Sequence, residues 1–332
     1  MRVEYDSNTT TYSVYISTAE DVMTLKECGA GTAQNPVWGS ASVPVNVYLE
    51  DDIDMSSIND FGGISGTINL LNGQGHSISN ITHVGDQNET DYFLFSVVKV
   101  SHLTLSNLNI TTYGNITVFN KKLIVEIYEM LVEKVKIQGN LTSLGNNTWV
   151  SICAGYVGGT GSTIHPYLLV RNSSFYGNIT APMINGWGGN IYRNAYSYCD
   201  VRLINSLINA TLTGSTIYLF GAMNDNYTSG NPDFSSINSM FVGELKDVTS
   251  AATFSYPWNN YYWHDSYVYI INASELYEEH GDSNSFMAQN RNSGLTIIGE
   301  TGLLFNDETG VTKLTFAAAI DKNTYKQLGW PI

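Results

Sequence analysis

Four segments of the chain repeat one pattern without gaps, and this repeat limits the fold more than any other feature. Each is eleven residues long, and they span residues 132–142, 170–180, 203–213 and 236–246. A fifth copy, residues 105–117, fits the pattern with two extra residues before Gly114. Periods of about 20–50 residues are typical of proteins that stack one structural unit many times.

Three columns of the aligned repeat describe how the units would pack. Two columns are large and apolar, and the column between them is small. The columns are Ile110, Ile137, Phe175, Ile208 and Phe241; then Gly114, Gly139, Gly177, Ala210 and Gly243; then Ile116, Leu141, Ile179, Leu212 and Leu245. They recur at every second residue, which is the spacing of inward-facing residues on a β-strand.

A fourth column is polar and predicts a turn. It holds Asn107, Asn172, Asn205 and Asn238, with Lys134 as the exception. Asn tolerates the left-handed conformation and bonds to nearby backbone, so we expect a stacked turn in which each Asn bonds to the next unit.

One such unit cannot bury its own apolar face, whereas stacked units can. The repeat therefore predicts an all-β fold, a parallel β-helix solenoid with loops of unequal length. A helical solenoid is disfavoured because the repeat has a period of two rather than 3.6. Residues 121–134 fit a helix or a strand, although the repeat makes at least their end a strand.

Composition narrows the range of partners. Charged residues are only 14% of the chain, and the net charge is -15. Nucleic acid requires clustered Lys and Arg, so we expect no nucleic-acid binding. No apolar run reaches the length of a membrane-spanning helix, about 18–20 residues, so we expect no membrane insertion. The Asn-Ile-Thr runs at Asn80, Asn109, Asn115 and Asn178 are interpreted as turns beside strands rather than as glycan acceptors.

The cysteines and the first residues point to no secretory framework. No apolar segment follows residues 1–7, so no signal peptide is expected. Cys28, Cys153 and Cys199 are odd in number and far apart, which fits neither a disulfide framework nor a zinc site. We predict buried thiols and leave a Cys153–Cys199 pair open.

Residues 61–81, Phe-Gly-Gly-Ile-Ser-Gly-Thr-Ile-Asn-Leu-Leu-Asn-Gly-Gln-Gly-His-Ser-Ile-Ser-Asn-Ile, carry a family resemblance. With the strand-like residues 49–55 and the helix-like residues 16–22 before them, they resemble the right-handed β-helix proteins of the pectate-lyase-like and GLUG-repeat kind. The glycines of a GLUG unit are missing from residues 93–97. Residues 325–332 resemble the closing segment of bacterial surface and phage β-helix proteins. The resemblance implies a right-handed β-helix with a short N-terminal capping helix, and often a homotrimer.

We expect three regions along the chain. Residues 1–55 form an N-terminal strand and helical cap, residues 56–300 the β-helix, and residues 301–332 the C-terminal strands and tail. Ser17 is the expected N-cap of the helix, with Glu20 completing a capping box. Val22, Met23 and Leu25 would then cover the end of the solenoid. Residues 251–290 interrupt the repeat with an aromatic-rich excursion.

The chain contains no phosphate-binding loop, zinc-protease, nucleophile-elbow or EF-hand motif. Glu50, Asp51, Asp52 and Asp54 could bind calcium or act as an acid and base, but a solvated strand edge is the favoured interpretation. The six histidines show no ligand spacing. Polygalacturonase motifs are incomplete at Gly75-His76, and Arg-x-Lys is absent. We therefore expect no enzyme activity, no cofactor and no metal site.

The aromatic excursion is the candidate contact surface. Its proposed contact residues, together with one Trp from a second aromatic cluster, are Tyr256, Trp258, Tyr261, Tyr262, Trp263, His264 and Trp187. Aromatic rings interleaved with Asn and Asp suit sugar stacking or anchoring in a protein interface. The alternative is that these rings pack long loops against the flank of the solenoid.

These features favour a non-enzymatic structural protein of a bacteriophage virion, in a capsid decoration, head fibre or tail fibre. Its expected partners are other virion proteins and a host surface glycan, and its expected place is the outer surface of the virion. The alternatives are an adhesin on the bacterial cell surface and a polysaccharide depolymerase, because a fold does not determine a function.

Overall fold

The computed structural model describes residues 1–9, 11–29, 45–119, 129–153, 156–157, 167–188, 190–192, 200–224, 233–237, 239–254, 261–264, 267–270, 296–299 and 304–305. Within these ranges the chain forms many strands and one helix, α1 (Ala19–Gly29), which confirms the all-β class. The strands are β1 (Arg2–Asp6), β2 (Thr11–Ile16), β3 (Val45–Leu49), β4 (Ile53–Asp54), β5 (Ile64–Asn72), β6 (Ser77–Ser79), β7 (Thr82–Val84), β8 (Asp91–Ser101), β9 (Thr104–Thr112), β10 (Asn115–Phe119), β11 (Glu129–Glu133), β12 (Lys136–Ser143), β13 (Trp149–Ser151), β14 (Tyr156–Val157), β15 (Tyr167–Arg171), β16 (Ser174–Thr180), β17 (Met183–Asn185), β18 (Asn190–Tyr192), β19 (Asp200–Ile204), β20 (Leu207–Thr213), β21 (Thr216–Asn224), β22 (Asp233–Ile237), β23 (Met240–Lys246), β24 (Ser250–Phe254), β25 (Tyr261–His264), β26 (Tyr267–Ile270), β27 (Thr296–Gly299) and β28 (Leu304–Phe305).

Most of the strands pair in three long parallel ladders, while β7 pairs parallel with β9, and β14, β18 and β21 form a further short parallel set. The first ladder runs through β2, β3, β5, β8, β11, β15, β19, β22 and β25. The second runs through β4, β6, β9, β12, β16, β20, β23, β26 and β27. The third runs through β8, β10, β13, β17, β21 and β24. Antiparallel pairs occur only at the two ends of the described ladders, between β1 and β2 and between β27 and β28.

The four gapless copies of the repeat lie side by side in the second ladder, in the predicted register. Ile137 pairs with Phe175, which pairs with Ile208, which pairs with Phe241. All four side chains are buried, at most 1% exposed. The small column is required sterically, because a Cβ on Gly177 would lie 1.8 Å from the carbonyl oxygen of Gly139. The apolar columns predicted from these copies are confirmed.

The register of β9 corrects the alignment predicted for the fifth copy. Ile137 pairs with Leu105, not with Ile110, and Ile110 instead pairs with Leu141. The cause is a bulge in β9. Ile137 of β12 pairs with Leu105, but Gly139 pairs with Leu108, so β9 has one more residue than β12 between these two pairs. Asn107 lies within this strand at φ 53°, so one extra residue is accommodated there rather than two before Gly114.

Left-handed residues mark the turns, as the polar column predicts. Asn172 (φ 50°) and Asn205 (φ 47°) follow β15 and β19, and the Asn205 amide donates to the Asn172 amide oxygen at 3.0 Å. Lys134 takes the same position after β11 at φ 53°. Asn238 lies outside the described residues. The predicted stacking is thus observed for the Asn172–Asn205 pair.

Asn107 belongs to a different stack from the predicted one. Its side-chain amide donates to Asn80, and the amide of Asn80 donates to the carboxylate of Asp54 at 2.7 Å. Asn80 is also left-handed, at φ 59°. The turn residues therefore form two separate lines. One holds Asn80 and Asn107, and the other holds His102, Lys134, Asn172 and Asn205, which precede β9, β12, β16 and β20.

The helix α1 is present where it was expected, but its cap is one residue later. Thr18, not Ser17, is the N-cap, because its hydroxyl accepts from the backbone N–H of Asp21 at 3.1 Å. Asp21, not Glu20, completes the box and accepts from the backbone N–H groups of Ser17 and Thr18. Val22 and Leu25 are buried in the core.

Candidate functional site

The aromatic segment is only partly described, and the described part does not interrupt the ladders. Tyr256 and Trp258 lie outside the described residues. Tyr261–His264 form β25, which pairs parallel with β22, and Tyr267–Ile270 form β26, which pairs parallel with β23. The expectation that residues 251–290 are an excursion is wrong for these strands, because they add a further step to the first and second ladders.

The register of β25 divides its four residues into two pairs. Tyr261 and Trp263 continue the columns of Val201 and Leu203, which are at most 2% exposed. Tyr262 continues the column of Arg202, which is exposed, and His264 that of Ile204. Tyr261 and Trp263 therefore stand at register positions whose earlier members are buried. Tyr262 and His264 are then the members of β25 that remain candidates for contact.

Trp187 is not a surface residue. Its exposed fraction is 0%, and it belongs to the hydrophobic core. Its backbone carbonyl accepts from the N–H of Cys153 at 3.2 Å, which fixes residue 187 against the neighbouring strand segment. A fully buried ring cannot stack on a sugar or enter an interface, so the expected contact role of Trp187 is corrected to a packing role.

A polar cluster that the sequence did not reveal lies beside β7. The imidazole Nδ1 of His83 lies 2.8 Å from a carboxylate oxygen of Asp60, and its Nε2 lies 3.0 Å from Glu89. The hydroxyl of Thr112 donates to the same Glu89 carboxylate. The side chain of His83 is only 6% exposed, whereas that of Asp60 is 60% exposed. One ring therefore links two acidic residues that are 29 positions apart in the chain.

The position of His83 explains why these carboxylates are needed. His83 pairs with Ile110, so it occupies a core column that is aliphatic in the following strands. Its ring stacks on Tyr92 at 4.1 Å, and the Tyr92 hydroxyl donates to the carbonyl of Phe61 at 2.8 Å. Burial, followed by the charges of Asp60 and Glu89, raises the pKa of Tyr92 well above its ordinary value. A polar ring at a core position must have partners, and both of its nitrogens have them.

In this arrangement one ring lies between two carboxylates from different segments of the chain. The two carboxylates approach opposite nitrogens of the ring, and both nitrogens donate when the ring is an imidazolium. The three groups do not converge on one point, and no cluster of three metal-ligating side chains occurs in the described part of the chain. The cluster joins Asp60, before β5, and Glu89, after β7, to the buried ring of His83.

The acidic run 50–54 is likewise occupied by contacts within the chain. Glu50 pairs with Arg2 at 2.6 Å. Asp52 accepts from the backbone N–H of Ser77 at 2.7 Å, and Asp54 from Asn80. The backbone N–H and hydroxyl of Ser77 lower the pKa of Asp52, and the Asn80 amide with the Ser56 N–H lowers that of Asp54. These exposed carboxylates bond to the adjacent segment, so the structure uses them as turn contacts.

The cysteine prediction is tested at one position. Cys153 is a free and buried thiol, and burial raises its pKa well above the ordinary value. Cys199 and the side chain of Cys28 lie outside the described residues. Among the residues that the structure describes, no helix is long and apolar enough to cross a membrane.

The chain was compared with known proteins in three ways. No protein-family model matches it, and neither a curated protein nor a solved structure does.

Proposed function

We propose that the three parallel ladders are the faces of a right-handed parallel β-helix, with α1 as its N-terminal cap. Each of the later steps visits the first, second and third ladders in order, as β15, β16 and β17 do before β19, β20 and β21 return to the same ladders. Parallel connections of this kind are right-handed in about 98% of cases. The in-register column from Ile137 to Phe241 supports one continuous core.

We propose that this scaffold serves as a non-enzymatic structural protein on the outer surface of a bacteriophage particle. The observation that carries the proposal is the chain of register-matched strands, since stacked parallel strands make a stiff body suited to projection from a surface. The candidate acidic and histidine groups support it too, because in the described structure they bond to one another and to neighbouring turns.

The charge of the chain supports an external position. A net charge of -15 disfavours contact with packaged nucleic acid, which repels an acidic surface. Attachment to other virion proteins and to a host surface glycan would then use aromatic anchors. Tyr256, Trp258, Tyr262 and His264 are the residues we assign to that contact.

The assignment to a particle is tested by mass spectrometry of purified virions and by gold-labelled antibody on intact particles. We expect the chain in the particles and the label on their outer surface. Absence from particles overturns the virion role, and label that appears only after particle disruption overturns the external position. Cleavage of host polysaccharide by the purified chain would replace the structural role with a depolymerase.

The contact residues are tested by a matched pair of substitutions in β25. Tyr262→Ala should weaken partner or glycan binding by roughly 1–3 kcal/mol and leave the melting temperature nearly unchanged. Trp263→Ala, at the core register position, should lower the melting temperature instead. The reverse result, with binding lost only in Trp263→Ala, would show that the contact face of this strand has been assigned wrongly.

A further inference from the structure

The strand β1 is the outer strand of the first ladder at its N-terminal end. It pairs antiparallel with β2 from Arg2↔Tyr15 to Asp6↔Thr11. Among the described residues no strand pairs with its other edge. All five of its residues are exposed. A free edge of this kind presents unpaired backbone groups that can accept another strand.

The side chains of this strand segregate by character. Met1, Val3 and Tyr5 are 42%, 46% and 53% exposed, and they alternate with the charged residues Arg2 and Glu4. Single exposed apolar residues are ordinary, but three in alternation along one free edge form a continuous apolar strip. Since successive side chains of a strand point to opposite faces, the charged residues lie on the other face.

We propose that β1 pairs antiparallel with β1 of a second copy of this chain, about a two-fold axis through Val3. In that register Val3 lies opposite its own copy, and Met1 lies opposite Tyr5 of the other chain. Arg2 then lies opposite Glu4 of the other chain, and the symmetry repeats this ion pair. Every directly opposed pair among residues 1–5 is therefore either apolar with apolar or basic with acidic, which are the pairs that stabilise a sheet.

The neighbouring registers lack this complementarity. An axis through Arg2 places two guanidinium groups opposite each other, and an axis through Glu4 does the same with two carboxylates. An axis between residues 3 and 4 places Val3 opposite Glu4, and an axis between residues 2 and 3 places Arg2 opposite Val3. Like charges directly opposite each other destabilise a strand pair, so only the axis through Val3 satisfies both faces.

The contacts within one chain prepare the charged face for this pairing. Arg2 already contacts Glu4 and lies 2.6 Å from Glu50, and its guanidinium lies 3.7 Å from the ring centre of Tyr15. Its side chain is thus held beside Glu4 before any partner arrives. Two such faces related by a two-fold axis would bring together two Arg2 and two Glu4 side chains with alternating sign.

Charged residues on a free edge can also serve to prevent strand pairing. The charges of residues 2 and 4 distinguish prevention of pairing from promotion of it. Like charges at these positions would repel a second copy of the strand, whereas Arg2 and Glu4 attract one. The proposed pairing is an isologous dimer and replaces the trimer implied by the resemblance. It does not depend on the virion role.

The charge pattern supplies the first test. The full chain, tagged at its C-terminus, is examined by analytical ultracentrifugation as Arg2→Glu, as Glu4→Arg and as a mixture of the two. We expect twice the chain mass for the unchanged protein and the chain mass for each variant alone, with the dimer restored in the mixture. Thermal unfolding of each variant shows how much stability the chain loses with the Arg2–Glu50 contact. A monomeric unchanged chain, or a mixture that stays monomeric, overturns the proposal.

A second test reads the register. Val3→Cys should form a disulfide between two copies under mild oxidation, because opposite residues of an antiparallel pair lie about 4.5–5.5 Å apart at Cα. Glu4→Cys reports an axis through residue 4 and should stay uncrosslinked, and the unchanged chain controls for its native cysteines. Val84→Lys is the matched surface control, since Val84 is 68% exposed but lies away from β1. Val3→Lys should abolish the dimer, and Val84→Lys should leave it intact. The reverse result, or crosslinking through Glu4→Cys alone, overturns the assigned surface.

Discussion

The later strands of the second ladder and its first strands fill the same core by different means. From β12 to β23 the inward columns are Ile, Phe and Leu, and the turn residues Asn172 and Asn205 bond to each other. From β4 to β9 one core position is His83, held by two carboxylates, and the turn stack begins at Asp54. The same parallel pairing therefore accepts either a purely apolar core or a polar residue whose partners are supplied by loops.

The difference predicts where each region is vulnerable. In the later region a column residue has only apolar neighbours, so any buried charge lacks a partner. In the earlier region the polar side chain is satisfied, and the cost appears only when one member of the cluster is removed. Four substitutions and one pH titration test this contrast, from the largest expected effect to the smallest.

The largest effect is expected from Phe175→Asp in the later region. The side chain is fully buried between Ile137 and Ile208, so an unpaired carboxylate there should cost about 5 kcal/mol or more and unfold the chain. Circular dichroism and urea unfolding measure the loss. Gln138→Asp, at an exposed position on the neighbouring strand, is the control and should be nearly neutral. A folded Phe175→Asp would contradict the buried column.

A smaller loss, about 3 kcal/mol, is expected from His83→Ile in the earlier region. Ile suits the column that His83 shares with Ile110, but the change leaves Glu89 without its ring partner. Urea unfolding measures the loss. The double variant His83→Ile with Glu89→Gln should recover part of the stability, because it removes the unpaired charge. Equal stability of the single variant and the unchanged chain would show that the cluster contributes nothing.

The Asn turn should contribute less. Asn205→Ala loses the 3.0 Å bond to Asn172 and places Ala at φ 47°, so we expect a loss of about 1–2 kcal/mol in thermal or urea unfolding. Asn205→Gly removes the same bond but tolerates this φ, and it should cost less than Ala. If Gly and Ala cost the same, the backbone conformation plays no part.

The cap of α1 predicts a dependence on pH. Burial acts to raise the pKa of Asp21, but hydrogen bonds from the N-terminal ammonium and from Ser17 outweigh it, and the pKa is lowered. A carboxylate whose pKa is lowered in the folded state stabilises the fold at pH values above its ordinary pKa, near 4. That stability is lost as the pH falls through the lowered pKa. Melting temperatures from pH 6 to pH 2 should therefore fall less in Asp21→Asn than in the unchanged chain. An identical slope would exclude Asp21 as a source of acid sensitivity.

The smallest effect should be a gain. Lys134 has the left-handed φ of 53° that Asn adopts after β15 and β19. Asn enters this conformation at lower cost than Lys, so Lys134→Asn should stabilise the chain by about 0.5 kcal/mol. Differential scanning calorimetry can resolve such a shift. Lys136→Asn, on an exposed strand position nearby, is the control and should bring no gain.

The strand columns could be predicted because each gapless copy carries its own alternation. Ile137, Phe175 and Ile208 are recognisable one at a time, and pairing in register merely brings them together. At β9 a single left-handed residue within the strand, Asn107, shifts the register, so alternation alone does not predict which residues pair there. A bulge and a loop insertion look alike in sequence, since both appear as extra residues.

The residues between β25 and β26 have the spacing of a further ladder step. Asp265 and Ser266 separate β25 from β26, just as Asn205 and Ser206 separate β19 from β20. The density of aromatic residues in this stretch suggested a loop, whereas the two-residue spacing indicated another step of the ladders. Spacing was therefore the better guide than composition.

By itself the sequence determined the all-β class, the helix near the N-terminus and the columns of the four gapless copies. The class and the columns follow from local alternation, and the helix from its capping residues, all of which act within a few residues. Only the tertiary structure decided that His83 bridges Asp60 and Glu89, that Trp187 is buried, and that Asn107 stacks on Asn80. Each of these contacts joins residues on different strands or loops, and which residues meet there depends on the strand register. A bulge of one residue is enough to change that register, and no local pattern records it.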